Sequence, residues 1–323
     1  MKRKIIPMLI IIAAAAALLI IKSVNAGQKK KITLVYSNKV NYEPFIIARE
    51  KDFFKKEGLD VDAKVVVGGI QAAEALFTGS ADAAAMGDAP AVILMSKNAP
   101  VKIVARYGEG DKIHRLLVSQ MIKSPEELEG KRVGIQFGSS THGGFLLWTK
   151  KIGLHIRAIH IIPLNPLDFP EAMNTNQIDA MAGSEPWPTN VEKLCKDKVY
   201  ELADFSGLGN TFPHVLMVTE RLITKYPEEV KKLVRAIGKA VAFINNEREK
   251  AAEITSKYIG LQMSDQIKCT ARLSWNMGWK EQDLRSMQKT AEFLKEFGKI
   301  NNIPNIIDFI NTRYLKANDG EIE

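Results

Sequence analysis

Glu74–Ala83 reads EALFTGSADA, and Glu171–Ala180 reads EAMNTNQIDA. The two stretches align without a gap at an offset of 97 residues and agree at Glu, Ala, Thr, Asp and Ala, five of ten positions. Each closes a run with helical spacing and opens a run of small residues suited to a buried strand. Chance can produce five matches in ten, so their weight lies in equivalent placement at an α-to-β junction. That placement predicts two similar α/β lobes, each with its own sheet. Ligands of such sheets sit beyond the carboxyl ends of the strands, which here is the cleft between the lobes.

Outward from the first copy the pattern is strand then helix, repeated. KITLVYS (Lys31 to Ser37) reads as a strand, Glu43 to Glu57 as a helix stopped by Gly58, and Leu59 to Val67 as a strand. Gly68-Gly69 precede a helix to Thr78, Ala81 to Met86 is a strand, Ala89 to Lys97 a helix and Val101 to Tyr107 a strand. Around the second copy the strands are Arg132 to Phe137, Ile159 to Leu164 and Ile178 to Gly183, with helices to Lys151, over Pro166 to Asn174 and over Pro186 to Cys195. His214 to Thr219 is the last clear strand. Such alternation predicts mostly parallel sheets covered by helices. After Tyr226-Pro227 the chain reads as helix. Val230, Leu233, Val234, Ile237, Val241 and Ile244 form one apolar stripe, and Leu284, Met287, Ala291 and Leu294 a second. Packing on the first sheet is the expected use of both stripes.

The 323 residues are 46% hydrophobic and 25% charged, a globular composition of two-domain length. Lys2, Arg3 and Lys4 precede an uncharged run from Ile5 to Ile21, and Val24-Asn25-Ala26 fits a signal-peptidase site. A signal peptide over 1–26 is expected, an uncleaved anchor being the alternative; both export the chain. Cleavage removes four basic residues and lowers the net charge of +8 to about +4, so nucleic acid is not an expected partner. Cys195 and Cys269 are the only cysteines. They fall in different lobes, where a bridge would lock the hinge, so two free thiols are expected.

Candidate ligand-binding residues stand at the strand ends. Ser37 and Asn38 end the first strand, with Tyr42 beyond them. Gly68 and Gly69 end the second, with Gln71 following, and Gly87 and Asp88 end the third. In the second lobe the candidates are Ser139, Ser140, Thr141 and His142, then Glu185 and Trp187; His214 opens the last strand. The Ser-Ser-Thr turn enters a helix, where free N–H groups and hydroxyls can hold an anion, although a hydroxyl there can equally cap its own helix. Trp187 reads as a stacking wall or as core. Asp88 and Glu185 could face an ammonium or a ring N–H, or cap helices. Neither histidine has metal-site spacing. No G-x-S-x-G, H-E-x-x-H, C-x-x-C or post-strand G-x-G-x-x-G occurs, so neither catalytic residues nor a metal or cofactor are expected.

The run from Asn41 to Val61, NYEPFIIAREKDFFKKEGLDV, followed by Gly68-Gly69 and by Ala75-Leu76 to Asp82, resembles solute-binding proteins of ABC importers for sulfonates, taurine, nitrate and thiamine pyrimidine precursors. Gly87 to Ala91, Pro100 to Val104 and Leu128 to Gly134 resemble them too, and Asp52 departs from a common Gly. The resemblance runs from about Lys31 to Pro227. It implies a type II periplasmic-binding-protein fold: two α/β lobes joined by two crossover strands, with the ligand cleft between. Lobe 1 would comprise 31–115 plus 220–323 and lobe 2 120–213, with crossovers near Leu116 to Gln120 and His214 to Thr219. It also implies an exported monomer whose partners are a small-molecule ligand, a permease and its ATPase. An organosulfonate or taurine-like solute is favoured. Nitrate, bicarbonate and a pyrimidine precursor are alternatives. Related classes include pyrimidine-synthase-like and menaquinone-pathway-like enzymes, which the export signal opposes, and ligand-sensing receptor subunits.

Overall fold

The computed structural model describes residues 30–315, so the expected signal segment lies outside the described residues. The first sheet contains β1 (Lys31–Ser37), β2 (Asp60–Val66), β3 (Ala83–Gly87), β4 (Val101–Glu109) and β10 (Pro213–Thr219), in the order β2-β1-β3-β10-β4. The second contains β5 (His114–Ser119), β6 (Arg132–Ile135), β7 (His160–Pro163), β8 (Ala180–Ser184) and β9 (Val199–Asp204), in the order β7-β6-β8-β5-β9. The two orders are equivalent. In each, three parallel strands are followed by an antiparallel strand delivered from the other lobe, β10 into the first sheet and β5 into the second. Among the described residues no helix is long and apolar enough to cross a membrane.

The repeated decapeptide has one structural job, performed twice. Thr78 and Thr175 each donate a hydroxyl hydrogen bond to the carbonyl four residues back, that of Glu74 or Glu171, at the end of α3 (Gly69–Phe77) and α6 (Phe169–Asn174). Asp82 then accepts the backbone N–H of Thr33 at 3.1 Å, and Asp179 that of Arg132 at 2.9 Å. Both aspartates also pair with an arginine, Arg221 for Asp82 and Arg132 for Asp179. The carboxylate thus aligns β1 with β3 in the first sheet and β6 with β8 in the second, which is why Asp and Ala recur together.

One expectation needs adjusting. The helix expected over Glu43 to Glu57 is two, α1 (Glu43–Glu50) and α2 (Phe53–Lys56), because Asp52 takes a left-handed conformation (φ 56°) between them. The crossover strand expected near Leu116 to Gln120 is β5, paired on both sides within the second sheet. β9 was not anticipated at all; its half-buried edge position leaves VYELAD without a clean alternation.

The C-terminal helices flank the first sheet on both faces. α9 (Pro227–Asn246) and α10 (Arg248–Ile259) bury the expected stripe from Val230 to Ile244 against Ile32, Leu34 and Tyr36. α12 (Glu281–Glu296) buries Met287, Ala291 and Leu294 on the opposite face, against Met86 and α4 (Asp88–Ser96). α12 also reaches across to the second lobe. Phe293 lies against α5 (Ser140–Lys151), where a Cβ on Gly143 would stand only 1.8 Å from its ring. The remaining α-helices among the described residues are α7 (Trp187–Cys195), α8 (Glu220–Lys225), α11 (Met263–Thr270) and α13 (Thr312–Leu315). Cys195 and Cys269 are buried free thiols, as expected.

Candidate functional site

Three helices begin at the same place. Gly69 opens α3, Gly87 caps α4 and Ser139 caps α5, and all three line one cavity of about 40 Å³ between the lobes. A helix N-terminus presents unpaired N–H groups and a partial positive charge, so three around one space make an electropositive cage. Close approach requires glycine at two of these starts. A Cβ on Gly69 would lie 3.1 Å from the Tyr42 hydroxyl and 3.2 Å from Pro90; one on Gly87 would lie 2.6 Å from Ser140 Oγ.

The Ser-Ser-Thr turn divides its labour. Ser139 is the cap: its hydroxyl accepts from His142 N at 3.1 Å and donates to the Gln136 carbonyl at 2.7 Å. Ser140 and Thr141 are therefore spared capping and line the cavity. Ser140 Oγ stands 3.5 Å from the Ala89 N–H, and Thr141 Oγ1 lies 2.7 Å from His114 Nδ1. Ser184, Gln136 and Asn41 add polar groups to the wall.

Lys39 supplies the formal charge. It is 7% exposed, lines the cavity, and forms no ion pair among the described residues. Burial alone pushes its ammonium down to about 8. His114 and His214 also line the cavity and are held neutral. Burial depresses both, assisted by Arg106 for His214, which falls to about 3, and by His214 and Lys39 for His114. His114 Nε2 and His214 Nδ1 are buried without hydrogen-bond partners, each at a cost of about 1–3 kcal/mol that a polar ligand would relieve. Among the described residues no carboxylate lines the cavity. A buried cation without a counter-ion, three helix N-termini and a ring of donors describe a site for a compact anion.

Of the sequence candidates, Tyr42, Gly69, Gly87, Ser139, Ser140, Thr141 and His214 meet at this cavity. Gly68 and Gln71 stand just behind it, where a Gly68 Cβ would be 3.4 Å from Lys39 Nζ and 3.7 Å from Gln71 Oε1. The others lie elsewhere. Ser37 donates to the Val67 carbonyl at 3.0 Å, and exposed Asn38 donates to that of Tyr258 at 3.3 Å. His142 stacks on Phe137 with 4.9 Å between ring centroids. Asp88 accepts from Thr290 Oγ1 at 2.6 Å, its buried carboxyl raised above the usual range. Glu185 is spent on Arg115 at 2.8 Å. Trp187, the first residue of α7, packs on the second-lobe core around Leu117, Phe169 and Val191, off the cavity wall.

Sequence reasoning missed Lys39, Asn41, His114, Gln136 and Ser184. Lys39 directly follows the strand-end pair Ser37-Asn38, but a lysine there reads as solvated until its burial is seen. His114 opens the crossover strand β5, two residues before the stretch expected from the sequence.

Residues 39–251 match the family described as NMT1/THI5 like. A binding protein of Brucella abortus is 29% identical over 215 residues, 66% of each chain; the present chain thus spans just under two thirds of that relative. The taurine-binding periplasmic protein of Escherichia coli is 26% identical over 320 residues, covering 90% of this chain and 95% of that one. Among solved structures, the alkanesulfonate-binding protein SsuA of Xanthomonas axonopodis bound to MOPS superposes with a TM-score of 0.78 at 22% identity, over 87% of this chain and 98% of that one. The periplasmic nitrate-binding protein NrtA of Synechocystis gives 0.71 at 16% identity, over 89% and 88%. The architecture is therefore the two-lobed periplasmic-binding-protein fold, and the chain belongs to the NMT1/THI5-like family.

Proposed function

We propose that this protein is the extracytoplasmic solute-binding subunit of an ABC importer, capturing a small organic anion with a sulfonate head and handing it to a membrane permease. Lys39 carries the reading: a buried ammonium with no protein counter-ion, placed among three helix N-termini, is stable only if an anion completes it. The cavity of about 40 Å³ has room for about three waters, the scale of an oxyanion head. Names of related proteins, for taurine, aliphatic sulfonates and nitrate, agree in being anions or zwitterions with a compact oxyanion. In this reading 31–113 with 213–315 acts as one lobe and 114–204 as the other, hinging on the two intervening segments.

The test is calorimetry and thermal shift on the exported form against methanesulfonate, ethanesulfonate, taurine, nitrate, bicarbonate and an aminopyrimidine. A sulfonate at 100 times its Kd should add about 2.7 kcal/mol of stability. Nitrate alone raising the melting temperature would replace the sulfonate with an inorganic anion; chemical turnover of any of these compounds would replace the binder with an enzyme.

A further inference from the structure

We propose that Asp88 works as a neutral carboxylic acid that orients the Ser140 hydroxyl toward the bound anion, which makes it a positioning residue of the head site. The inference rests on the anion-head reading above. A chain of hydrogen bonds fixes the direction of each donor leading to Asp88. The Phe212 N–H, which can only donate, bonds Asn210 Oδ1 at 2.8 Å, so Asn210 presents its Nδ2 to Thr290 Oγ1 at 2.9 Å. Thr290 accepts there and turns its own hydrogen to Asp88 Oδ2 at 2.6 Å. Asp88 Oδ1 is buried and makes no hydrogen bond among the described residues. Ser140 faces the carboxyl from the other lobe and is pressed against the start of α4, its Oγ 3.5 Å from the Ala89 N–H and 2.6 Å from where a Gly87 Cβ would stand.

The carboxyl is 1% exposed and pairs with no cation among the described residues. Around it stand Ser140 from α5, Thr290 from α12, Asn210 from the segment joining β9 to β10, and the Ala89 N–H of its own helix. Titratable groups on the neighbouring elements are engaged elsewhere: His142 stacks on Phe137, His214 lines the head cavity and Lys289 bonds the Gly209 carbonyl. A carboxylate buried without a counter-ion costs far more than the neutral acid, and burial raises this carboxyl above the usual range. With Oδ2 already accepting, the acid proton sits on Oδ1 and is offered to Ser140 Oγ. Ser140 then accepts from Asp88 and from the Ala89 N–H, and its own hydrogen is left for the anion. An ionised Asp88 would take that hydrogen and turn a lone pair on the ligand. Successive donors in such a chain also polarise one another, which strengthens the last bond.

Infrared difference spectroscopy of the parent against Asp88→Asn, together with calorimetry of methanesulfonate binding, tests this. At pH 7 the difference spectrum should contain the carbonyl stretch of a protonated carboxyl, with and without methanesulfonate. Asp88→Ala should lose about tenfold or more in affinity, as Ser140→Ala does, because each removes an oriented donor to a charged group. The asparagine side chain accepts from Thr290 through Oδ1 and donates to Ser140 through Nδ2, so Asp88→Asn should restore the binding that Asp88→Ala loses. The two alanine losses should not add: the double variant should bind like Ser140→Ala alone, since Asp88 acts through that hydroxyl. Melting without ligand certifies the fold of each variant, and if Asp88→Ala does not fold, the infrared band and Asp88→Asn still decide. A carboxylate band in place of the acid band overturns the proposal. So does Asp88→Asn that binds as poorly as Ser140→Ala, or a double variant whose losses add. Failure of the parent to bind methanesulfonate, nitrate or bicarbonate overturns the head reading and this inference with it, whatever the infrared band shows.

Discussion

Replacing Lys39 with methionine should stabilise the empty protein and abolish its function. Methionine keeps most of the apolar stem and drops the ammonium. In the unfolded chain Lys39 titrates near 10.5; in the folded, unliganded protein burial holds it at about 8. The difference corresponds to about 3 kcal/mol of destabilisation whenever the group is charged, at the upper end because buried sites relax. Between pH 8 and 10.5 the unfolded chain holds a proton that the folded chain has lost, so parental stability rises with pH across that window. Below pH 8 the cost is complete. Urea unfolding should therefore show Lys39→Met more stable than the parent at pH 7, the advantage fading as pH climbs to 10.5. Binding should move the other way. A charge-assisted hydrogen bond contributes about 1.5–3 kcal/mol, so sulfonate affinity should fall roughly 10- to 150-fold at pH 7. In the parent, affinity should decline above pH 8 as the ammonium is lost, by up to about tenfold per pH unit. A methionine variant less stable than the parent at pH 7, or one that binds sulfonate as tightly, would refute the assignment of Lys39.

Three further substitutions probe other parts of the account. Ser140→Ala with Thr141→Ala should weaken anion binding at least tenfold; the unliganded protein should lose only the about 1–3 kcal/mol that the broken Thr141–His114 hydrogen bond costs, because Ser139 and not these hydroxyls caps α5. Gly143→Ala should improve the intrinsic propensity of α5 yet weaken binding by about 1–3 kcal/mol, since its methyl group would meet the buried Phe293 ring across the cleft; small-angle scattering should show a more open protein. Trp187→Ala should lower stability by up to about 3–5 kcal/mol through lost packing on the second-lobe core while leaving affinity near the parental value at temperatures where the variant is folded. Quenching of Trp187 by direct ligand contact, together with lost affinity and an intact fold, would return this residue to the cleft.

The two-lobed plan could be read from the sequence because its determinants are local. The repeated Thr and Asp close a helix and align a strand within a few residues of themselves, and the apolar stripe of α9 states its own buried face. The glycines and hydroxyls at helix starts were equally legible, since turn geometry fixes their position. What escaped depends on residues far away along the chain. Asp88 accepts from Thr290 and Glu185 pairs with Arg115, partners distant in sequence that no local pattern announces. Lys39 has the opposite history. Nothing near it in sequence marks it as buried; the closing of two lobes around it does. Trp187 looked like a cleft wall because it follows a strand end, but the start of α7 turns its ring onto Leu117 and Phe169.

The most direct measurement is a crystal structure of the protein grown with 2-bromoethanesulfonate, whose bromine and sulfur can be placed independently of the protein. The account predicts the sulfonate between the lobes, its oxygens within hydrogen-bond distance of Lys39 Nζ and of the Ser140 and Thr141 hydroxyls. A sulfonate bound outside the cavity, or one inside it with Lys39 turned away, would contradict it.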